Sequence, residues 1–286
     1  MELELTLLLF LAIFPVFVAL AYVYSTDFFN KEPKFMLGKA LFFGALLSVP
    51  LIIIETPLIL GSSLIPNPIF SAISVSFIGA AIPEEVGKFL VVYWLIWKSP
   101  HFDERYDGIV YAVFVSMGFA GVENILYIWG AAFANDPNGI NPIFLSVTRA
   151  IFSVPLHFFC AVILGYYMSI AKFDTVYKMR YIVTGLFWAI LFHGVFNSLL
   201  FINQVAISEF TGLLFGAFIV LNIFLWKFGN RRIRHLSGLL AFNQAEKSAL
   251  IKCPNCGTMS LSDISVCPNC QHALSSDFTS SVEKSA

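Results

Sequence analysis

The sequence predicts an all-α polytopic membrane protein with about seven transmembrane helices, plus a small cytosolic zinc-ribbon module near its C-terminus. Three observations carry that prediction. Hydrophobic residues make up 58% of the 286 residues and charged ones 12%, with a mean hydropathy of +0.80, which is too apolar for a chain solvated by water alone. Apolar runs long enough to cross a bilayer core, about 20 residues of helix, recur along the chain. Four of the cysteines then stand in two Cys-Pro-Asn-Cys knuckles within the last 40 or so residues.

The runs cover 5–24, 37–60, 69–97, 109–133, 142–171, 181–203 and 207–227. The first contains Ala19-Leu20-Ala21, which resembles a small-x-small cleavage site, but it is led by Glu2 and Glu4 with no Lys or Arg. It is therefore read as a retained span rather than a secretory signal. Lys31, Lys34 and Lys39 follow the first run, Lys98 and Arg105 the third, Lys172, Lys178 and Arg180 the fifth, and Lys227, Arg231, Arg232 and Arg234 the seventh. The alternate connections, 62–68, 135–141 and 203–208, carry no Lys or Arg. By the positive-inside rule the expected topology is a multi-pass protein of the cell membrane with its N-terminus outside and its C-terminus cytosolic. The net charge of −1 hides this segregation, and nucleic acid is not an expected partner.

The expected organisation is a transmembrane domain over 1–228, a basic juxtamembrane linker over 229–252, a zinc ribbon over 253–271 and a disordered, Ser-rich tail over 272–286. Cys253, Cys256, Cys267 and Cys270 place four thiolates for a closed tetrahedral zinc site, each knuckle's turn preset by proline. A reducing compartment disfavours the alternative, a pair of disulfides. A closed site has no open coordination position, so structural Zn2+ and a docking role for a protein partner are expected rather than chemistry. Cys160, inside an apolar run, is read as a packing residue.

Ionisable groups inside lipid are expensive, so each needs a partner or a function. The third run contains Glu84, Glu85 and Lys88, the fourth Glu123 and Asn124, the fifth Arg149 and His157, and the sixth His193 and Asn197. Measured against the midpoint of each run, Glu84, Glu85, Glu123, His157 and His193 fall near a common depth, which predicts one polar cavity between helices. Lys88 is the i,i+4 partner of Glu84 and the i,i+3 partner of Glu85, so it can pair with either. His193 and Asn197 lie one turn apart on a common helix face. Arg149 is read as snorkelling or pairing with helix ends, and Glu55 and Glu209 as interfacial. A purely structural ion pair is the plain alternative for Glu84, Glu85 and Lys88.

These residues resemble the PrsW intramembrane proteases and, more distantly, the type II CAAX prenyl endopeptidases. The resemblance rests on Asp27 with Glu32-Pro33, the EExxK motif at Glu84, Glu85 and Lys88, the GFxxxEN motif from Gly118 to Asn124, the pair Arg149 and His157, and the HxxxN motif at His193 and Asn197. It implies hydrolysis of a peptide bond in or near the membrane-embedded part of another membrane protein, a single-pass one being one option, by water activated without bulk solvent. The expected roles are Glu85 or Glu84 as general base, Lys88 tuning the pair, Glu123 and His157 completing the water site, and His193 with Asn197 polarising the carbonyl. No HExxH motif is present, and a metal-free reaction is expected over one in which Glu123, His157 and His193 hold a catalytic metal. The ribbon looks like an appended module. Other classes remain: a proton-coupled transporter or membrane sensor built on the same cluster, disfavoured because no inverted repeat or paired broken helices are apparent, and a non-catalytic scaffold.

Overall fold

The computed structural model describes residues 2–27, 31–133, 141–174, 176–205, 208–248, 250–256, 259–261, 270 and 272. Two compact units divide it, 1–237 and 238–286. In the first, α1 (Glu2–Ser25), α2 (Lys34–Ser63), α5 (Asp107–Phe133) and α8 (Lys178–Val205) each form one span. Two further spans are composite. The third runs through α3 (Pro68–Ser74), a π-helical turn (Val75–Ala81) and α4 (Ile82–Ile96), and the fifth through α6 (Pro142–Thr148), a π-helical turn (Arg149–Ser153) and α7 (Val154–Phe173). The last helix, α9 (Ser208–Ser248), runs well past the apolar stretch that begins it. Among the described residues, seven helices are long and apolar enough to cross a membrane.

The composite spans share one design, contrary to the expectation that the chain holds no paired broken helices. Each opens on Asn-Pro: Asn67 and Asn141 accept hydrogen bonds on Oδ1 from the two amides that follow the proline, at 2.9 to 3.2 Å. Such a residue satisfies N–H groups that the first turn leaves without intrahelical partners. Seven helical residues follow, then the π turn, and then Pro83 or Pro155 as the second residue of the helix beyond. Proline lacks an N–H and its ring collides with the carbonyl four residues earlier, and widening the preceding turn removes the collision. Both spans run in the same sense, so the likeness is parallel rather than inverted.

Burial identifies the centre. In α5 67% of the most apolar window is enclosed by protein, and in the fifth span 56%, against 17% to 39% elsewhere, so these two spans are the most enclosed. Phe17, Phe42, Ile53, Trp94 and Leu213 are exposed, as a lipid-facing surface requires. Close crossings depend on glycine: a Cβ on Gly44 of α2 would collide with the Val115 carbonyl of α5, and one on Gly118 of α5 with the Leu41 carbonyl of α2. Gly108 of α5 and Gly165 of α7 make the same kind of backbone contact.

The stretch expected as a linker from residue 229 is helical through Ser248. Within the first unit its side chains are packed: Ile233 and Leu236 are buried, and the Arg232 guanidinium stacks over the Tyr166 and Phe228 rings at 4.6 Å. Hydropathy marks where lipid ends and is silent on where the helix does. In the second unit β1 (Leu250–Lys252) pairs antiparallel with β2 (Met259–Leu261), Leu250 opposite Leu261, and Cys253 follows directly on β1.

Candidate active site between the spans

Six of the side chains singled out from sequence meet in one buried cluster. Pro83 re-aims the third span so that the first turn of α4 delivers Glu84 and Glu85, with Lys88 one turn on. The Lys88 ammonium has three N–H groups and three acceptors: Glu84 Oε2 at 3.2 Å, Glu85 Oε1 at 2.8 Å and His157 Nδ1 at 2.9 Å. Because His157 Nδ1 accepts, its Nε2 carries the proton and donates to Glu123 Oε2 at 2.9 Å. Ser116 Oγ donates to the His157 carbonyl at 3.0 Å.

From α8, His193 donates through Nδ1 to Glu85 Oε1 at 2.8 Å, which leaves Nε2 facing Glu84 Oε1 at 3.9 Å. The two imidazoles stand perpendicular with centroids 5.1 Å apart, and the Lys88 ammonium lies 4.6 Å over the Phe119 ring. Glu85 is sealed, its side chain 0% exposed, whereas Glu84 retains 5% and is the reachable carboxylate. Asn197 is half-buried one turn from His193 and makes no hydrogen bond among the described residues.

Arg149 corrects the expectation drawn from sequence. It does not snorkel: its Nη2 lies 3.0 Å from Glu123 Oε2, and its Nε donates to Asn124 Oδ1 at 2.7 Å, while Asn124 Nδ2 donates to the Ala12 carbonyl of α1 at 3.1 Å. A lone arginine within an apolar run is itself a signal, since it needs a partner, but the partner sits on another helix. Glu55 is half-buried, with Oε1 enclosed and without a hydrogen bond. The side chain of Glu209 lies outside the described residues. Cys160 is packed in α7, its thiol 3.6 Å from the Ala189 carbonyl.

Glu84, Glu85, His157 and His193 each offer a donor atom within 4.8 Å of the others, a set whose ligand types suit zinc. The arrangement does not: Lys88 already holds Glu84, Glu85 and His157, so a cation among all four would meet an ammonium at hydrogen-bond range. In the second unit Cys253, Cys256 and Cys270 bring their sulfurs within 4.8 Å of one another, a cysteine cluster that fits a ribbon and could hold a metal. The Cys253 and Cys270 sulfurs are 3.6 Å apart, far beyond a disulfide bond. Cys267 lies outside the described residues.

Fold and site together define a polytopic membrane protein with a closed acid–base cluster among its central spans. The family model described as "PrsW family intramembrane metalloprotease" matches residues 32–226, and the chain belongs to that family. It is 35% identical over 202 residues to a Protease PrsW of Clostridioides difficile (strain 630), covering 68% of this chain and 80% of the relative. It is 33% identical over 190 residues to that of Geobacillus kaustophilus (strain HTA426), covering 66% and 78%. To that of Bacillus subtilis (strain 168) it is 30% identical over 221 residues, covering 77% and 91%. No solved structure matches the chain.

Proposed function

We propose that the chain is an intramembrane endopeptidase that hydrolyses a peptide bond in or near the membrane segment of another membrane protein, with water activated by glutamate. The observation that carries the reading is the pair Glu84 Oε1 and His193 Nε2, which face each other at 3.9 Å while every other polar arm of the two residues is engaged. Glu84 is the preferred base, because Glu85 is sealed and bonded to both Lys88 and His193.

In the proposed step Glu84 takes a proton from water as its oxygen attacks the peptide carbonyl. Protonated His193, its charge supported at Nδ1 by Glu85, donates from Nε2 to the oxyanion, and the Asn197 amide donates beside it. The proton on Glu84 then passes to the leaving amine as the C–N bond breaks, giving a carboxylic acid and an amine. Lys88 fixes both carboxylates, and the chain His157, Glu123, Arg149 and Asn124 fixes Lys88 from the other side. No step is routed through a metal, a choice that the three Lys88 bonds to Glu84, Glu85 and His157 support.

The proposal includes the topology with the N-terminus outside, the transmembrane domain over 1–228, and structural zinc held by Cys253, Cys256, Cys267 and Cys270 in a ribbon that docks a partner. The test is cleavage of single-span membrane peptides by the full chain in lipid. Glu84→Gln is expected to lower turnover at least about a hundredfold while leaving the fold intact. Cleavage is expected to survive a strong chelator in a Cys253→Ser/Cys256→Ser background, which has no ribbon zinc to lose. Chelator-sensitive cleavage restored by zinc in that background would overturn the metal-free step, and full activity of Glu84→Gln would return the cluster to a transport or sensing role.

A further inference from the structure

A second group of buried acids lies at the end of the bundle where α1 leads into α2 and α4 into α5. Asp27, Glu32 and Asp107 are 1%, 4% and 0% exposed, and Asp103 is exposed beside them. One oxygen each from Glu32, Asp103 and Asp107 lies within 4.8 Å of the other two. The catalytic proposal uses none of these residues, although Asp27 and Glu32 are among those that carry the family resemblance.

The local geometry orients the acids without neutralising them. Asp107 opens α5, and its Oδ2 accepts from the backbone amides of Asp103 at 3.0 Å and Glu104 at 2.6 Å, so the loop before α5 is wound around that oxygen. Its Oδ1 is enclosed and receives no N–H or hydroxyl donor, and its carboxyl meets that of Glu32 with no cation between them. One turn further, Tyr111 donates its hydroxyl to Glu32 Oε2. Both oxygens of Asp27 are likewise enclosed, with the Glu32 backbone amide and the more distant Lys31 charge acting on them.

The nearby cations are turned elsewhere: Lys31 Nζ lies 4.3 Å over the Tyr24 ring, and the Arg105 guanidinium faces Phe173. Among the described residues no ion pair within 4.0 Å includes Asp27, Glu32, Asp103 or Asp107. A buried carboxylate with an orphaned oxygen and no cation is costly, and a bound metal ion is one of the few arrangements that relieves it. Carboxylate oxygens with no sulfur or imidazole select hard divalent ions.

We infer that Glu32, Asp103 and Asp107, with Asp27 beside them, bind a hard divalent cation of the calcium, magnesium or manganese class, which ties the α1–α2 connection to the start of α5. The site is distinct from the membrane cluster and from the cysteine ribbon, and its ion is structural.

The experiment is a titration of the full-length protein in lipid nanodiscs with Mn2+, followed by electron paramagnetic resonance, with Ca2+ and Mg2+ as competitors. One saturable site displaced by Ca2+ or Mg2+ is expected. Asp103→Asn, an exposed change that leaves the loop's backbone bonds in place, is expected to weaken it at least about tenfold, and Asp107→Asn to abolish it. Glu85→Gln and Cys253→Ser are expected to leave it unchanged. Absence of saturable binding would overturn the inference and leave Glu32 and Asp107 sharing a proton instead. Binding that survives both Asp variants, or that disappears in Glu85→Gln, would equally overturn it. Neither readout uses peptide cleavage, so this inference and the protease reading can fail separately.

Discussion

Two clusters of buried carboxylates occupy this bundle, and they are balanced in opposite ways. In the cluster between the spans each acid has a cation supplied by the chain: Lys88 for Glu84 and Glu85, Arg149 for Glu123. At the α1–α2 end Asp27, Glu32 and Asp107 are as deeply enclosed, yet Lys31 and Arg105 rest on aromatic rings instead. The difference follows from the solvent. Lipid contains no ions to recruit, so a charge inside it must arrive with its covalently attached counter-charge, whereas an acid at the water boundary can take its partner from solution.

The comparison breaks most severely if Lys88 is removed. Lys88→Met leaves two buried carboxylates without their ammonium, and thermal unfolding in detergent is expected to show a loss of about 3–5 kcal/mol, with no cleavage remaining. A Lys88→Met protein as stable as the parent would mean that one carboxyl is protonated and that lysine is dispensable as a counter-charge. Arg149→Gln is expected to cost less, about 2 kcal/mol, because Glu123 keeps its bond to His157 and both residues retain some exposure. Turnover should fall with it, through a displaced His157.

Removing hard divalent ions with a chelator should then lower the unfolding temperature of the parent by a few degrees and leave Asp107→Asn unmoved, and Glu84→Gln, whose change lies in the other cluster, should keep the parent's shift. The smallest effect concerns pH in the absence of divalent ions. Burial pushes the Asp27 and Glu32 carboxyls up; the Glu32 backbone amide and Lys31 draw Asp27 back, the Tyr111 and Asp107 hydrogen bonds lower Glu32, and the like charges of Asp27 and Asp103 raise Glu32 further. A raised folded-state pKa contributes stability below the unfolded value that is lost as pH rises through the folded one. The ion-free protein should therefore lose a little stability as pH rises above the ordinary carboxylate range, and Asp27→Asn should flatten that slope.

Much of the site is legible in the sequence because lipid makes charge conspicuous. Glu84, Glu85, Lys88, Glu123, His157 and His193 stand out against apolar runs, and helical rise alone brings the carboxylates and imidazoles to one depth. Arg149 is visible in the same way but its partner is not, since depth along one helix says nothing of which neighbour a side chain faces. The π turns escape notice although Pro83 and Pro155 mark them, because proline within a span announces a disturbance without specifying its form. The α1–α2 cluster is hidden for another reason: acids near the water boundary are ordinary in sequence, and only burial distinguishes Asp107 from any other first-turn aspartate.

The glycine crossings have a mechanical consequence. Where Gly44 meets Val115, Gly118 meets Leu41, and Gly108 meets Gly165, backbone rests on backbone, and no rotamer change can loosen such a joint. Two other glycines abut rings that can swing aside, Gly194 of α8 against Phe77 and Gly229 of α9 against Phe159, while Gly185 of α8 meets the Tyr167 Cβ of α7. α2, α5 and α7 thus form the stator of the bundle. In the proposed protease a gap that admits another helix is therefore expected to open away from these three joints.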